Sequence, residues 1–138
     1  MARYDANNDV QDDTPEWGCY NSVAVSGARD AGIYAGQANT AAILAACSDT
    51  GSAARAASAY TFGGKSDWYL PSSGEAQLIY EQKVTLFPTT YNTNFNYWTS
   101  TEVGATTNQA YIMSFNTGIG TYPKYGDNAF HVRPVRQF

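Results

Sequence analysis

The side chains with the chemistry for catalysis are few and scattered. They are Asp67, Glu102, Asp127 and the sole histidine, His131, with cysteines at positions 19 and 47. Glycoside hydrolysis needs two carboxylates at a defined gap across a cleft, and Glu102 and Asp127 would have to be gathered for it by the fold. The competing reading pairs a loop carboxylate with Arg133 or Arg136 and leaves His131 on a strand facing solvent. Asp67 has no histidine, nucleophile or second carboxylate near it in sequence, so it is read as orienting a turn rather than as a general base. Two cysteines and one histidine fall short of the three or four N/S ligands that zinc requires. Cys19 and Cys47 leave two readings open, a disulfide or a pair of unlinked buried thiols.

With catalysis poorly supplied, composition points to contact. Charged residues make up 14% of the 138 positions, while tyrosine occurs 11 times in a background of Asn, Ser, Thr and Gly. Such a mixture offers rigid amphipathic rings beside adaptable hydrogen bonding. The net charge of -4 and pI near 4.7 repel phosphate backbones, and no basic stripe offsets them, so nucleic acid is not an expected partner. The longest apolar run, residues 38–47, is too short to cross a bilayer, so no membrane insertion is expected. The start "MARYDANNDVQDD" lacks a basic region followed by an apolar one and is not read as a secretory signal.

The length fits one domain over 1–138, with residues 1–14 read as an irregular arm. In the first thirty-five residues only "WGCYNSVAVSG" alternates like a strand, so loops around a short strand or two are expected there. Asn39 or Thr40 can cap an Ala-rich helix presenting Ala42, Ile43 and Ala46, and Ser48, Asp49 and Gly51 end it. A second alanine-dense helical turn covers 53–59, and the whole segment is expected to lie flat on a sheet.

The stretch "GGKSDWYLPSSGEAQLIYEQK" is the most legible. Gly63 and Gly64 make a turn, residues 68–70 extend, and Pro71 pushes Leu70 toward the β region. Ser72 and Glu75 have the spacing of a capping box. The helix that follows presents Ala76, Ile79, Tyr80 and Lys83, with Leu78 widening the stripe. Beyond residue 88 three strands are expected, over 97–101, 109–115 and 130–138, joined by loops 102–108 and 116–129. Bulk on both faces of 109–115 makes that strand central, and Pro134 puts the last one at an edge or a bulge.

The order "WGCY", "NT" before an Ala-rich helix, "GGKSDWYLPSSGE", "YWTST", "AYIMSFNTG" and "VRPVR" resembles the C-terminal domain family of the collagen-like adhesin Lcl, over roughly residues 15–138. The resemblance implies an α+β, C-type lectin-like fold, a variant related to formylglycine-generating enzymes and diversified variable proteins. Two main helices would pack on small antiparallel sheets with long loops. It implies a framework of Asp67, Trp68, Leu70, Pro71, Trp98, Arg133 and Arg136. It further implies a binding face on the late loops, carried by Tyr91, Asn94, Asn96, Glu102, Asn108, Asn116, Tyr122, Lys124, Tyr125 and Asn128.

The expectation is a non-catalytic module for a cell-surface glycan or protein. Its setting would be a phage tail or virion, or a bacterial surface, and the alternative is a structural decoration or assembly protein. No cofactor is expected, since the calcium-binding triplets of calcium-dependent lectins are absent. Residues 126–128 with Glu102 would chelate calcium only if the fold joined them. Family members commonly begin with a Gly-rich strand that is not found before "EWGCY", which favours a homo-oligomer, a trimer above all, or part of a larger assembly. The reactive cysteine pair of the enzymatic relatives has no counterpart after Cys47.

Overall fold

The computed structural model describes residues 16–19, 24–48, 51–82, 96–104, 108–125 and 130–137. A 3-10 turn at Ser26–Ala28 leads to helices α1 (Gly36–Ala46), α2 (Ala53–Ala59) and α3 (Ser73–Glu81). Strands β1 (Asn96–Glu102), β2 (Gln109–Ser114), β3 (Gly118–Pro123) and β4 (Phe130–His131) follow. They form one sheet in the order β3-β2-β1-β4, antiparallel throughout except for the parallel pair β1 and β4. The molecule is therefore a mixed α+β domain.

The alternation of β1 and β2 builds the layers, because successive side chains leave a strand on opposite faces. Trp98, Ala110 and Ile112 point to one side, where Trp17, Ile43, Ala53, Ala57, Leu70, Phe130 and Val132 complete a core under α1 and α2. Tyr97, Met113 and Phe115 point to the other, against Ala76, Ile79 and Tyr80 of α3. The central position expected for 109–115 is what the sheet order gives, and β4 is at an edge. Leu78, expected to widen the buried stripe of α3, is instead 43% exposed. Lys83 lies outside the described residues.

The segment 63–75 is framework. Gly63 and Gly64 adopt φ +60° and +74° in a two-residue turn closed by paired backbone bonds between Phe62 and Lys65. Tyr69 exchanges two backbone bonds of 2.9 Å with Val135, and the Pro71 carbonyl accepts from the Ser100 N–H at 2.7 Å. Trp68 and Leu70 are buried, as is Pro71. The capping box is present: the Glu75 N–H donates to Ser72 Oγ, and Glu75 Oε1 accepts from the Ser72 N–H at 3.0 Å.

Several expectations need correction. Helix α1 begins at Gly36, so Asn39 and Thr40 are not its cap but buried residues of its interior. Thr40 Oγ1 donates to the Gly36 carbonyl and accepts from the Leu70 N–H at 3.1 Å, while Asn39 Nδ2 donates to the Asp30 carbonyl at 2.6 Å. The cap comes from a distance, since Glu75 Oε1 also accepts from the Gly36 N–H at 2.9 Å. One carboxylate thus serves the first turns of two helices. Gly36 is glycine because a Cβ would lie 2.6 Å from the Leu70 carbonyl and 2.8 Å from the Tyr69 ring.

Among the described residues before α1 there is a 3-10 turn and no strand. Strand β3 lies where a loop was expected. Gly118, Gly120 and Pro123 hide its character in sequence, and it forms because β2 offers a continuous backbone ladder from Gln109 to Ser114. The last strand is only two residues long, and the chain leaves the sheet before Pro134 to pair through Val135 with Tyr69. His131 is fully buried against Tyr97, not turned to solvent.

Cys19 and Cys47 form a disulfide with Cα atoms 4.9 Å apart, fastening the segment at Trp17 to the C-terminus of α1. That segment is held further by bonds from the Ala53 N–H to the Glu16 carbonyl and from the Trp17 N–H to the Lys124 carbonyl.

Candidate ligand-binding face

Aromatic rings climb from the core to the surface at the end of the sheet where β3 finishes. Trp98 stacks on Phe130 at 4.6 Å, Phe130 meets Tyr122 at 4.7 Å, and Tyr122 takes Tyr125 edge-on at 6.4 Å. Tyr122 is half-buried and Tyr125 is 61% exposed. The outermost ring therefore rests on a column whose foot is fully enclosed. Asn108 is exposed at this same end, and its carbonyl accepts from the Lys124 N–H at 2.8 Å.

Beneath this face is a charge cluster. Glu102 is 1% exposed, and its Oε1 accepts from Lys124 Nζ at 2.5 Å and from the Val25 N–H at 2.9 Å. Its Oε2 accepts from Arg29 Nε at 2.9 Å. Lys124 is 2% exposed, and its ammonium also sits 4.5 Å from the centre of the Trp17 ring. Burial by itself would raise the Glu102 carboxyl, but the bonds from Lys124, Val25 and Arg29 prevail and hold it below the ordinary glutamate range. Burial lowers the Lys124 ammonium in spite of the carboxylate beside it.

Glu102 and Lys124 were both expected to meet a ligand, and this is corrected. The pair is spent on tying β1, the end of β3 and the 3-10 region together. Spacing gave no hint of it, because Glu102 lies 77 residues from Val25 and 73 from Arg29. Neither Arg133 nor Arg136 is the carboxylate's partner here. Arg133 is buried, its guanidinium 5.1 Å from the centre of the Tyr97 ring and its Nη2 donating to the Tyr97 hydroxyl at 3.3 Å. Arg136 grips Asp67 with two bonds of 2.7 and 2.9 Å. That grip from Arg136 lowers the Asp67 carboxyl and raises the guanidinium. Asp67 thus fastens the C-terminal segment to the 63–75 framework, where the turn alone was expected.

The remaining expected contacts divide between two places. Asn108, Tyr122 and Tyr125 share the end of the sheet at which Gln109 pairs with Pro123. Asn116 is exposed in the β2–β3 turn, and Asn96 is half-buried opposite Ser114, both at the other end. Five residue steps along β2 separate the two ends, roughly 17 Å. A single sugar ring reaches only one of the two ends. Tyr91, Asn94 and Asn128 lie outside the described residues, as do Asp127 and the 126–128 run considered for calcium.

Both oxygens of Glu102 are engaged, and among the described residues no group of three or more His, Cys, Asp or Glu side chains could hold a metal ion. No helix among them is long and apolar enough to cross a membrane. Sequence reading overlooked Ile33 and Tyr34, an adjacent pair of large side chains that are 54% and 73% exposed. Their only signal was a flanking "AG" on either side.

Residues 13–136 match a family model described as the Lcl C-terminal domain. No curated protein and no solved structure matches the chain.

Proposed function

The chain belongs to the Lcl C-terminal domain family, an adhesin-related group, and from that premise we propose that it is a non-catalytic module binding a glycan or protein on a cell surface. The observation that carries this reading is the column from Trp98 to Tyr125, which presents an exposed ring on an unyielding base. Such a ring loses little entropy on contact and offers both a stacking face and a hydroxyl. Asn108 adds an amide beside it. The binding face is accordingly Tyr122, Tyr125 and Asn108, and the fold is read as C-type lectin-like. A surface or virion setting agrees with the disulfide, which persists in oxidising compartments.

Absence of catalysis belongs to the proposal. The best-placed acid, Glu102, is sealed in ion pairs and His131 is enclosed. The test is binding to a glycan array and to intact cells by the wild type, Tyr125→Ala and Asn108→Ala. Loss of at least ten-fold in affinity in Tyr125→Ala, with an unchanged melting temperature, is expected. Attachment that survives both substitutions, or turnover of an oligosaccharide on the array, sinks the reading. Location of Tyr125 in a subunit contact of a particle would replace it with an assembly role.

A further inference from the structure

Charge at the Tyr125 face decides which ligands it can take. From Val103 to Ala129, the stretch that supplies this end of the sheet, the sequence holds two charged side chains, Lys124 and Asp127. Lys124 is 2% exposed, its ammonium bound to Glu102 and set against the Trp17 ring. The cation of the stretch is therefore turned inward. Arg29 joins the same cluster and reaches solvent, but its Nε is held by Glu102 Oε2, and the next residue, Asp30, is an exposed carboxylate. Acidic sugars, whether sulfated, sialylated or uronic, are gripped by charge-assisted bonds from Arg or Lys. Among the described residues of 103–129, no such group faces solvent beside Tyr125.

The uncharged groups suit a different ligand. The Lys124 N–H donates to the Asn108 carbonyl, so the β2–β3 ladder runs one step past Gln109 and Pro123. Asn108 is two positions before Ala110, which lies opposite Tyr122, and strand alternation puts Asn108 and Tyr122 on the same side of the sheet. Asn108 is exposed, and its side chain bonds to no other described residue. Its amide offers donors and an acceptor together, as does the phenol of Tyr125. Sugar hydroxyls donate and accept, so they can fill both capacities, whereas an ionised carboxylate or sulfate group only accepts. The faces of the Tyr122 and Tyr125 rings carry negative potential, which favours polarised C–H bonds over an anion. The chain's net charge of -4 adds to that repulsion.

We infer that the Tyr125 face selects neutral sugars: an uncharged pyranose lays its C–H face on Tyr125 while Asn108 bonds its hydroxyls, and acidic glycans bind far more weakly. The inference rests on the binding role given above to this face. To test it, the full chain and Tyr125→Ala are titrated with neutral oligosaccharides and with sulfated and sialylated versions of the same cores, from about 0.05 to about 0.5 M salt. The neutral series should bind the wild type at least about ten-fold more tightly than the acidic one, change by less than about two-fold across the salt range, and be lost in Tyr125→Ala. Arg29→Gln should leave neutral binding unchanged. Preference for the acidic series, a fall of about ten-fold with added salt, or loss of binding in an Arg29→Gln variant that melts like the wild type overturns the inference. If Arg29→Gln folds poorly, the salt series on the wild type decides alone. Absence of binding to every neutral glycan overturns it as well. Cell attachment that Tyr125→Ala still abolishes would then keep the face with a protein as its ligand, whereas attachment that survives Tyr125→Ala removes the face itself.

Discussion

Glu102 concentrates the energetics of single residues in this molecule. A buried carboxylate is tolerable only when its lone pairs are filled, and here a lysine, an arginine and a backbone N–H fill them. Glu102→Gln leaves Lys124 enclosed without a counter-charge and should destabilise the fold by about 3 kcal/mol, read from urea denaturation. Acid should reproduce part of that loss. Because the folded carboxyl is held below its ordinary value, the native state binds fewer protons than the unfolded chain between the two values, and stability rises with pH across that window. The contribution is complete above roughly pH 4.3 and is lost as the pH falls through the folded value. Asp67, lowered by Arg136, titrates in the same direction. Melting curves between pH 3 and 7 should therefore show a shallower acid limb in Glu102→Gln than in the wild type, and parallel limbs would refute the assignment.

At the level of elements, the start of α3 is the junction where the turn before α1, the helix α1 and strand β1 are joined. Ser72 caps α3 and donates to the Gly32 carbonyl, Ser73 donates its N–H to Thr101 Oγ1 at 2.9 Å, and Glu75 caps α1. Ser72→Ala removes both roles of one hydroxyl and should cost about 1 to 2 kcal/mol in urea denaturation. Gly74→Ala should cost more, because its Cβ would collide with the Ala31 carbonyl, an atom fixed by its own hydrogen bonds. Equal melting of Gly74→Ala and wild type would show that the two elements can part without loss. The Ser72–Glu75 box was readable in sequence because both members lie within one helical turn. The true start of α1 was not, because its capping carboxylate is 39 residues away.

For the whole molecule, closure between distant parts of the chain matters most. The disulfide joins positions 28 residues apart, and removing it by Cys19→Ser with Cys47→Ser should lower stability by about 3 kcal/mol, or roughly 10 °C in melting temperature. Calorimetry with and without reductant checks this, and an unchanged transition would mean that packing around Trp17 suffices. What could be read in advance follows the same division by distance. The Gly63–Gly64 turn and the two-faced strand at 109–115 write their signal in neighbouring residues, while the framework role of Trp68 and Leu70 came from the resemblance to the family. Strand β3, with Gly118 and Gly120, takes its form from β2, and the burial of Glu102 and Lys124 takes its cause from Val25 and Arg29. The binding face was legible as composition, in Tyr122 and Tyr125, but its division from Asn96 and Asn116 needed the register of the sheet.

The parallel pairing of β1 with β4 has a bearing on how the chain is made. Phe130 covers Trp98, Val135 pairs with Tyr69, and Arg136 holds Asp67, so a stretch synthesised after these elements is the one that closes them. Until then one side of β1 stays open, with its backbone groups and an indole uncovered. A nascent chain in that state is exposed to its neighbours on the polysome, and slow decoding of residues 130–136 would prolong the hazard.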